Sequence, residues 1–388
     1  MLKKKYDLAI INRSFWPQSE ILGEAKLRLA ERVAEDGRAC VIAQAKIDVK
    51  GEALRQNRAN KVKFYVAKSR SDSSSGLVRR IFDALLFGPY VFLTLCRARP
   101  KHIYISTNPP VVVPFLVYLY CKLFHADYTY HLQDIHPEIT NLVLPMNRLL
   151  FRFLRRLDNT TLRNAKNLIT LSNDMASCLR RISGTKAKIH IVDNPGFETT
   201  VGSVEKRKTN DLVFCGNAGR VQQIPNLLKG IETYLKRGGR LNFTFIGGGV
   251  YASQIKTLSE KQSQVAYLGY LKPSIANNIV SEHRWAILPI QDDVAQFAFP
   301  SKSSSYLASG CKILGICGPE TSVAKWIEAL GVGAHVHADP EAIARTLGQI
   351  ELSPAEREPT EFRSKPKTQT IQTFVEDIEK ILASPKLS

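Results

Sequence analysis

Two parallel α/β domains in tandem are the fold that this sequence predicts, on three observations. At 388 residues, 44% of them hydrophobic, the chain exceeds one ordinary core and can bury two. Both halves repeat one grammar, a short apolar strand followed by a loop and a helical stretch. Where strands end, small, polar and charged residues gather, as in Thr107-Asn108-Pro109-Pro110, Gln133-Asp134-Ile135-His136-Pro137-Glu138 and Gly216-Asn217-Ala218-Gly219-Arg220. In doubly wound sheets, ligands bind outside the carboxyl ends of the strands.

Tyr6–Ile11 reads as a buried strand. A loop holding Phe15-Trp16-Pro17 and Gly23 leads into an amphipathic helix from about Glu24 to Glu35, with Leu27, Leu29, Ala30 and Val33 as its apolar residues; Asp36-Gly37 stops it, and Cys40–Ala45 is the next strand. Residues 46–78 are polar, with a strand at Lys63–Ala67 and a Ser/Arg tract at 69–75 that reads as a mobile loop. Leu77–Pro100 alternates Arg79, Arg80, Arg97 and Arg99 with Ile81, Phe82, Leu85, Leu86, Phe87 and Phe92. A core helix edged by solvated arginines is the commoner reading of such a stretch, and a monotopic membrane-binding segment has the same make-up. His102–Thr107 and Asp127–Leu132 are further strands, and the second ends in three titratable groups within five residues, Asp134, His136 and Glu138. A basic helix at Met146–Arg163 and strands at Asn167–Ser172 and Lys188–Asp193 complete the first domain.

The stretch Glu198–Asn210 is polar and lacks apolar periodicity. It is the expected linker, 198–210, between an N-terminal domain, 1–197, and a C-terminal one, 211–365. In the second, strands at Asp211–Cys215, Leu241–Ile246, Val265–Leu268, Trp285–Pro289 and Lys312–Ile316 alternate with helices. After the first of these, the small residues of Gly216–Gly219 let the backbone approach a ligand closely, and Arg220 offers a fork for phosphate. Gly247-Gly248-Gly249-Val250-Tyr251-Ala252 fits a dinucleotide fingerprint, yet no Asp or Glu lies between Glu260 and Glu282 to hold a ribose. It therefore reads as a structural turn. Phe299-Pro300-Ser301-Lys302 opens a helix of about two turns, with Ser301 as N-cap and Gly310 as stop. Unpaired N–H groups, partial positive charge and a lysine at such an end suit a phosphate. The last helical pattern, Thr368–Ala383, spaces Ile371, Phe374, Ile378 and Ile381 on one face. The segment 366–388 is expected to cross back to the N-terminal domain.

Charge narrows the partners. The net charge of +19 is uneven, with 32 Lys and Arg against 17 Asp and Glu in residues 1–200 and 22 against 18 in the remainder. The first half thus meets something acidic: nucleic acid, an anionic membrane surface or a phosphorylated substrate. The basic residues form no nucleic-acid-binding module, so nucleic acid is not the expected partner. Seven cysteines stand singly without a C-x-x-C pair, and Met1-Leu2-Lys3-Lys4-Lys5 opens no secretion signal, which suggests reduced thiols in the cytoplasm. The apolar runs near Ala84–Cys96 and Val111–Cys121 are shorter than the roughly 20 residues of a membrane-spanning helix.

Together Phe15-Trp16-Pro17, Thr107-Asn108-Pro109-Pro110, Asp134-Ile135-His136-Pro137-Glu138, Gly216-Asn217-Ala218-Gly219-Arg220-x-Gln222, Val265-x-x-Leu268-Gly269 and Pro300-Ser301-Lys302 resemble a glycosyltransferase of the GT-B type, in the polysaccharide-biosynthesis branch of glycosyltransferase family 4. The resemblance implies two Rossmann-like domains facing a central cleft. It implies a nucleotide-sugar donor, such as a UDP- or GDP-sugar, held mainly by the C-terminal domain. The acceptor, a glycan or a lipid-diphosphate-linked sugar, goes mainly to the N-terminal domain, and the enzyme works at the cytoplasmic, anionic face of the plasma membrane. It assigns Arg220 and Lys302 to the donor diphosphate, with Gly216, Asn217, Gly219 and Ser301 beside it. Leu268 and Gly269 go to the base, Ser305 to the ribose, Asp134 and His136 to the reacting sugar or acceptor, and Gly23, Asn108 and Glu138 to the acceptor side. A Glu-x7-Glu pair usual in the family reads Phe297 and Ser305 here.

Family resemblance also implies retention of anomeric configuration, by a front-face route in which the leaving phosphate helps deprotonate the acceptor. The chain contains no Asp-x-Asp, so neither a metal nor another cofactor is expected, and a cation pair is left to stabilise the leaving diphosphate. The missing glutamates also suit a GT-B-shaped scaffold or partner subunit without transfer activity, and an epimerase of nucleotide sugars is a further alternative.

Overall fold

The computed structural model describes residues 4–70, 77–197, 208–352 and 369–384. The first compact unit comprises Met1–Asp193 and Ile371–Ser388, the second Asn194–Thr370. The first runs β1 (Tyr6–Ile11), α1 (Leu22–Asp36), β2 (Ala39–Ala45), α2 (Val49–Arg55), β3 (Lys63–Lys68), α3 (Leu77–Ala98), β4 (Pro100–Ser106), α4 (Val112–Phe124), β5 (Asp127–His131), α5 (Glu138–Val143), α6 (Arg148–Asn164), β6 (Asn167–Thr170), α7 (Asn173–Ser183) and β7 (Lys188–Ile191). Its seven strands are all parallel, in the order β3-β2-β1-β4-β5-β6-β7.

The second unit holds β8 (Asn210–Cys215), α8 (Ile224–Lys236), β9 (Phe243–Ile246), α9 (Ala252–Lys261), β10 (Val265–Tyr267), α10 (Pro273–Ser281), β11 (His283–Pro289), α11 (Asp292–Ala295), α12 (Ser303–Ala308), β12 (Lys312–Ile316), α13 (Ser322–Leu330), β13 (Gly333–Val336) and α14 (Pro340–Leu352). Its six strands are again parallel, in the order β10-β9-β8-β11-β12-β13. The last helix, α15 (Ile371–Ala383), belongs to the first unit.

Helices cover both faces of a parallel sheet, so its inner strands are apolar throughout, and β2 is buried along its whole length. The first core joins Leu27, Ala30, Val41 and Tyr104 to Ile371, Phe374, Val375, Ile378 and Ile381 of α15. Arg32 on α1 pairs with Glu379 on α15 at 2.9 Å, and the Phe374 ring stacks on His131 with centroids 6.0 Å apart. In the second unit Leu212, Phe245, Ile287 and Leu314 of the sheet pack with Leu227 and Ile231 of α8 and Leu347 of α14.

Several details differ from the sequence reading. α2 and β13 were not anticipated. Ser301 does not cap α12, because the helix starts at Ser303, the preceding residue is Lys302, and no side-chain bond caps the end. α3 buries Phe87, Val91 and Leu95, which makes it a core helix. Most of the Ser/Arg tract at 69–75 and of the proposed linker 198–210 lies outside the described residues.

Candidate active site

The second domain gathers its predicted donor residues at the carboxyl end of β8. Gly216 N donates to Ile246 O at 2.9 Å, Ala218 N to Gly248 O at 2.6 Å and Tyr251 N to Ala218 O at 3.1 Å, so the loops after β8 and β9 close on each other. Only glycine permits this: Gly247 has φ +124°, and a Cβ there would stand 1.9 Å from Gly216 O. The triple glycine is thus the structural turn that its missing acidic partner suggested. Gly247 N also donates to Gly269 O at 2.7 Å, which brings Leu268, 43% exposed, and Gly269 to the same place. Gly219 is confined by Gln222 and Asn217, whose side-chain atoms would lie 2.6 and 2.8 Å from an added Cβ. Asn217 and Arg220 are exposed to solvent.

Helix α12 is pinned to the same spot. The buried Tyr306 hydroxyl accepts from Cys215 N at 2.8 Å and donates to Cys215 O at 3.0 Å, one residue before the Gly216–Arg220 loop. Burial pushes the Cys215 thiol up, and the Lys302 charge beside it pulls the other way. The predicted phosphate residues Lys302 and the 216–220 loop therefore converge on the end of β8. With six residues, α12 aligns few peptide dipoles, so anion binding there rests on the Lys302 ammonium and the loop N–H groups more than on a macrodipole. Ser301 is exposed. Ser305 is 3% exposed, and its hydroxyl is buried without a hydrogen-bond partner, an environment unlike that of an open ribose contact. Phe297 is half-buried.

In the first domain, the loop after β5 carries Asp134 and His136 and runs into Glu138, the first residue of α5. Burial raises the Asp134 carboxyl to about 6, near the pH at which a group both takes and gives protons efficiently. Burial, aided by the Arg155 charge, lowers His136 to about 4, so its imidazole is neutral at pH 7, with Nδ1 2.7 Å from Thr140 Oγ1. Sequence reasoning missed the group that organises this loop, Arg155 of α6. It pairs with Glu138 at 3.2 Å and Asp158 at 2.8 Å and donates to the His136 carbonyl. Burial lifts Asp158 to about 7, and Arg155 opposes the shift. Glu138 is pushed up by burial, again against Arg155.

Asn108 belongs to the loop after β4, whereas Gly23, read from the sequence as part of the loop after β1, is the second residue of α1. Gly23 is buried, its N–H donates to Ser19 Oγ at 3.1 Å, and a Cβ there would lie 2.6 Å from Trp16 N, which makes it a packing glycine. Asn108 is exposed, with Nδ2 donating to Ser14 Oγ at 3.0 Å and its carbonyl accepting from Arg13 N at 2.9 Å. Beneath them lies a second unanticipated cluster, in which Lys26 donates to Ser106 Oγ at 3.0 Å and Ser106 donates to Asn12 Oδ1 at 2.5 Å. Among the described residues, no group of three His, Cys, Asp or Glu side chains could hold a metal ion.

Two Rossmann-like parallel domains with these strand-end loops constitute the GT-B fold, and the proteins that the chain is similar to include glycosyltransferases. No family model matches the chain. A Pseudomonas aeruginosa protein named Probable glycosyltransferase WbjE is 27% identical over 295 residues, 71% of this chain and 72% of that protein. Among solved structures, Anabaena Alr3699/HepE in complex with UDP gives a TM-score of 0.66 at 13% identity, covering 98% of this chain and 100% of that one. WaaG, a glycosyltransferase involved in lipopolysaccharide biosynthesis, gives 0.64 at 14% identity over 97% and 100%.

Proposed function

We propose that the chain transfers a sugar from a UDP- or GDP-sugar to a glycan or lipid-diphosphate-linked acceptor in cell-surface polysaccharide synthesis, at the cytoplasmic face of the plasma membrane. The observation that carries the reading is the pair of hydrogen bonds between the Tyr306 hydroxyl and Cys215, which fixes α12, with Lys302 at its start, at the strand end that opens the Gly216–Arg220 loop. Cations and N–H groups held in place before reaction stabilise the charge that grows on the leaving diphosphate without reorganisation. In this reading they do the work that a metal does in other transferases. Asn217 and Gly219 shape the loop, and Leu268 and Gly269 border the base. The likeness to HepE, a structure holding UDP, supports the choice of donor.

In the proposed retaining route, the bond from the anomeric carbon to the diphosphate oxygen breaks and the acceptor oxygen bonds on the same face. The acceptor proton passes to the departing phosphate. Asp134 and His136 hold the acceptor or the transferred sugar, with Glu138 and Asn108 at its margin. A thermal-shift screen against nucleotide sugars, followed by assay of nucleoside diphosphate release with membrane acceptors, tests the proposal. A bound donor at 100 times its dissociation constant stabilises by roughly 2.7 kcal/mol, and acceptor-dependent release should follow. No stabilisation by any nucleotide sugar would overturn it. A second reading, a scaffold that binds nucleotide without transfer, draws on Phe297 and the buried Ser305 standing where relatives place glutamates. Stabilisation without release would favour it.

A further inference from the structure

Helix α6 presents two faces of opposite character. Inward, Asp158, Thr161 and Leu162 are buried, and Arg155 holds Glu138 and the His136 carbonyl. Outward, Leu149, Leu150 and Phe153 are 74%, 49% and 58% exposed. Arg148, Arg152 and Arg156, each four residues from the next, run along one side of the Leu149–Phe153 stripe. All three are exposed, and none forms an ion pair among the described residues. The helix has one acid, Asp158, and that is 1% exposed. The outer face is thus apolar and cationic, with no negative charge.

Scattered exposed leucines need no explanation, but a run of large apolar side chains on one outward face marks an interaction surface. At 17 residues the helix is about 25 Å long, short of the roughly 30 Å hydrocarbon core, and its arginines forbid spanning. No helix among the described residues is long and apolar enough to cross a membrane. An amphipathic helix of this make-up lies in the plane of an interface, with its leucines and phenylalanine at the acyl boundary and its guanidinium groups on lipid phosphates. The exposed Leu142 and Leu144, 46% and 41%, extend the apolar run just ahead of the helix. Nucleic acid would pair the arginines and leave the stripe in water.

We propose that the outer face of α6 docks this protein on an anionic lipid bilayer, and that docking holds the Asp134–Glu138 loop beside the lipid surface. The second clause rests on the lipid-linked acceptor reading above. The link is Arg155: the helix that meets the lipid also positions His136 and Glu138, so the acceptor loop stands about one helix diameter, roughly 10 Å, from the headgroups.

Sedimentation of the full chain with vesicles of phosphatidylglycerol mixed with phosphatidylcholine, and with vesicles of phosphatidylcholine alone, tests the surface. The anionic vesicles should capture the protein, and salt should release it. Each arginine near an anionic leaflet contributes about a factor of five, so Arg148→Gln, Arg152→Gln and Arg156→Gln together should weaken capture on the order of 100-fold. Leu149→Ser with Phe153→Ser should weaken it as well, with the circular dichroism spectrum unchanged. Replacing the exposed Lys236 and Lys256 of the other domain by Gln should leave capture intact. Equal capture by both vesicle types, capture indifferent to the α6 variants, or self-association abolished by Phe153→Ser would overturn the proposal. Calorimetric binding of UDP by the same preparations separates the two readings, because loss of capture with UDP binding retained concerns the docking face alone.

Discussion

Lys26 carries its amine into the first core, where it is 2% exposed and donates to a hydroxyl, Ser106 Oγ. Burial lowers its pKa to about 7, while the unfolded chain holds the proton to about 10.4. Between those values the unfolded state binds more protons, so stability rises with pH there and falls as the pH drops toward 7. Lys26→Met removes the effect. The stability difference, wild type minus variant, should grow by about 1.4 kcal/mol per pH unit from pH 7 to 9 in urea unfolding, and a flat difference would contradict the buried amine. Ser305 calls for the opposite kind of test. An unpaired buried hydroxyl penalises folding, so Ser305→Ala should leave stability unchanged or raise it by up to about 1–3 kcal/mol. Donor affinity should stay the same; a loss above about 1 kcal/mol, the usual worth of one neutral hydrogen bond, would show that the hydroxyl reaches the ribose.

At the level of elements, the proposed donor site depends on two loops that close only through glycine. Gly247→Ala forces a Cβ against Gly216 O, whereas Gly248 has nothing within 4 Å of an added Cβ. The first substitution should abolish nucleotide binding and lower the melting temperature, and Gly248→Ala should do neither; equal behaviour of the pair would refute the loop geometry. Strands such as β1, β2 and β8 were legible because strands buried on both faces read as unbroken apolar runs. α2 was not, since Val49–Arg55 is short and mostly polar and is started by Asp48 accepting from Gly51 N, a local signal without periodicity. The strand-end clusters announced the loops of the site, but Arg155 reaches His136 across 19 residues, a tertiary contact that no local pattern encodes. Lys26 did leave a trace: it falls on the apolar stripe of α1 with Ala30 and Val33, where a charge is out of place. The outer face of α6 left none, because Leu149, Leu150, Phe151, Phe153 and Leu154 occupy so much of the helix that its buried side shows only in the fold.

Across the whole molecule, the chain builds the first domain, then the second, and returns with α15 to complete the first core. Charge divides along the same line, with most of the excess Lys and Arg in residues 1–200, the half that carries α6 and the proposed acceptor loop. The second domain is nearly balanced, and of its cations Arg220 and Lys302 are the two proposed to hold the diphosphate. That arrangement is the central claim, and calorimetric titration of UDP and GDP into the wild type, Arg220→Ala and Lys302→Ala tests it most directly. The account predicts one saturable site for at least one nucleotide in the wild type, weakened by on the order of 100-fold in each variant, as expected for removing a preorganised charged partner. Undiminished affinity in both variants would contradict it.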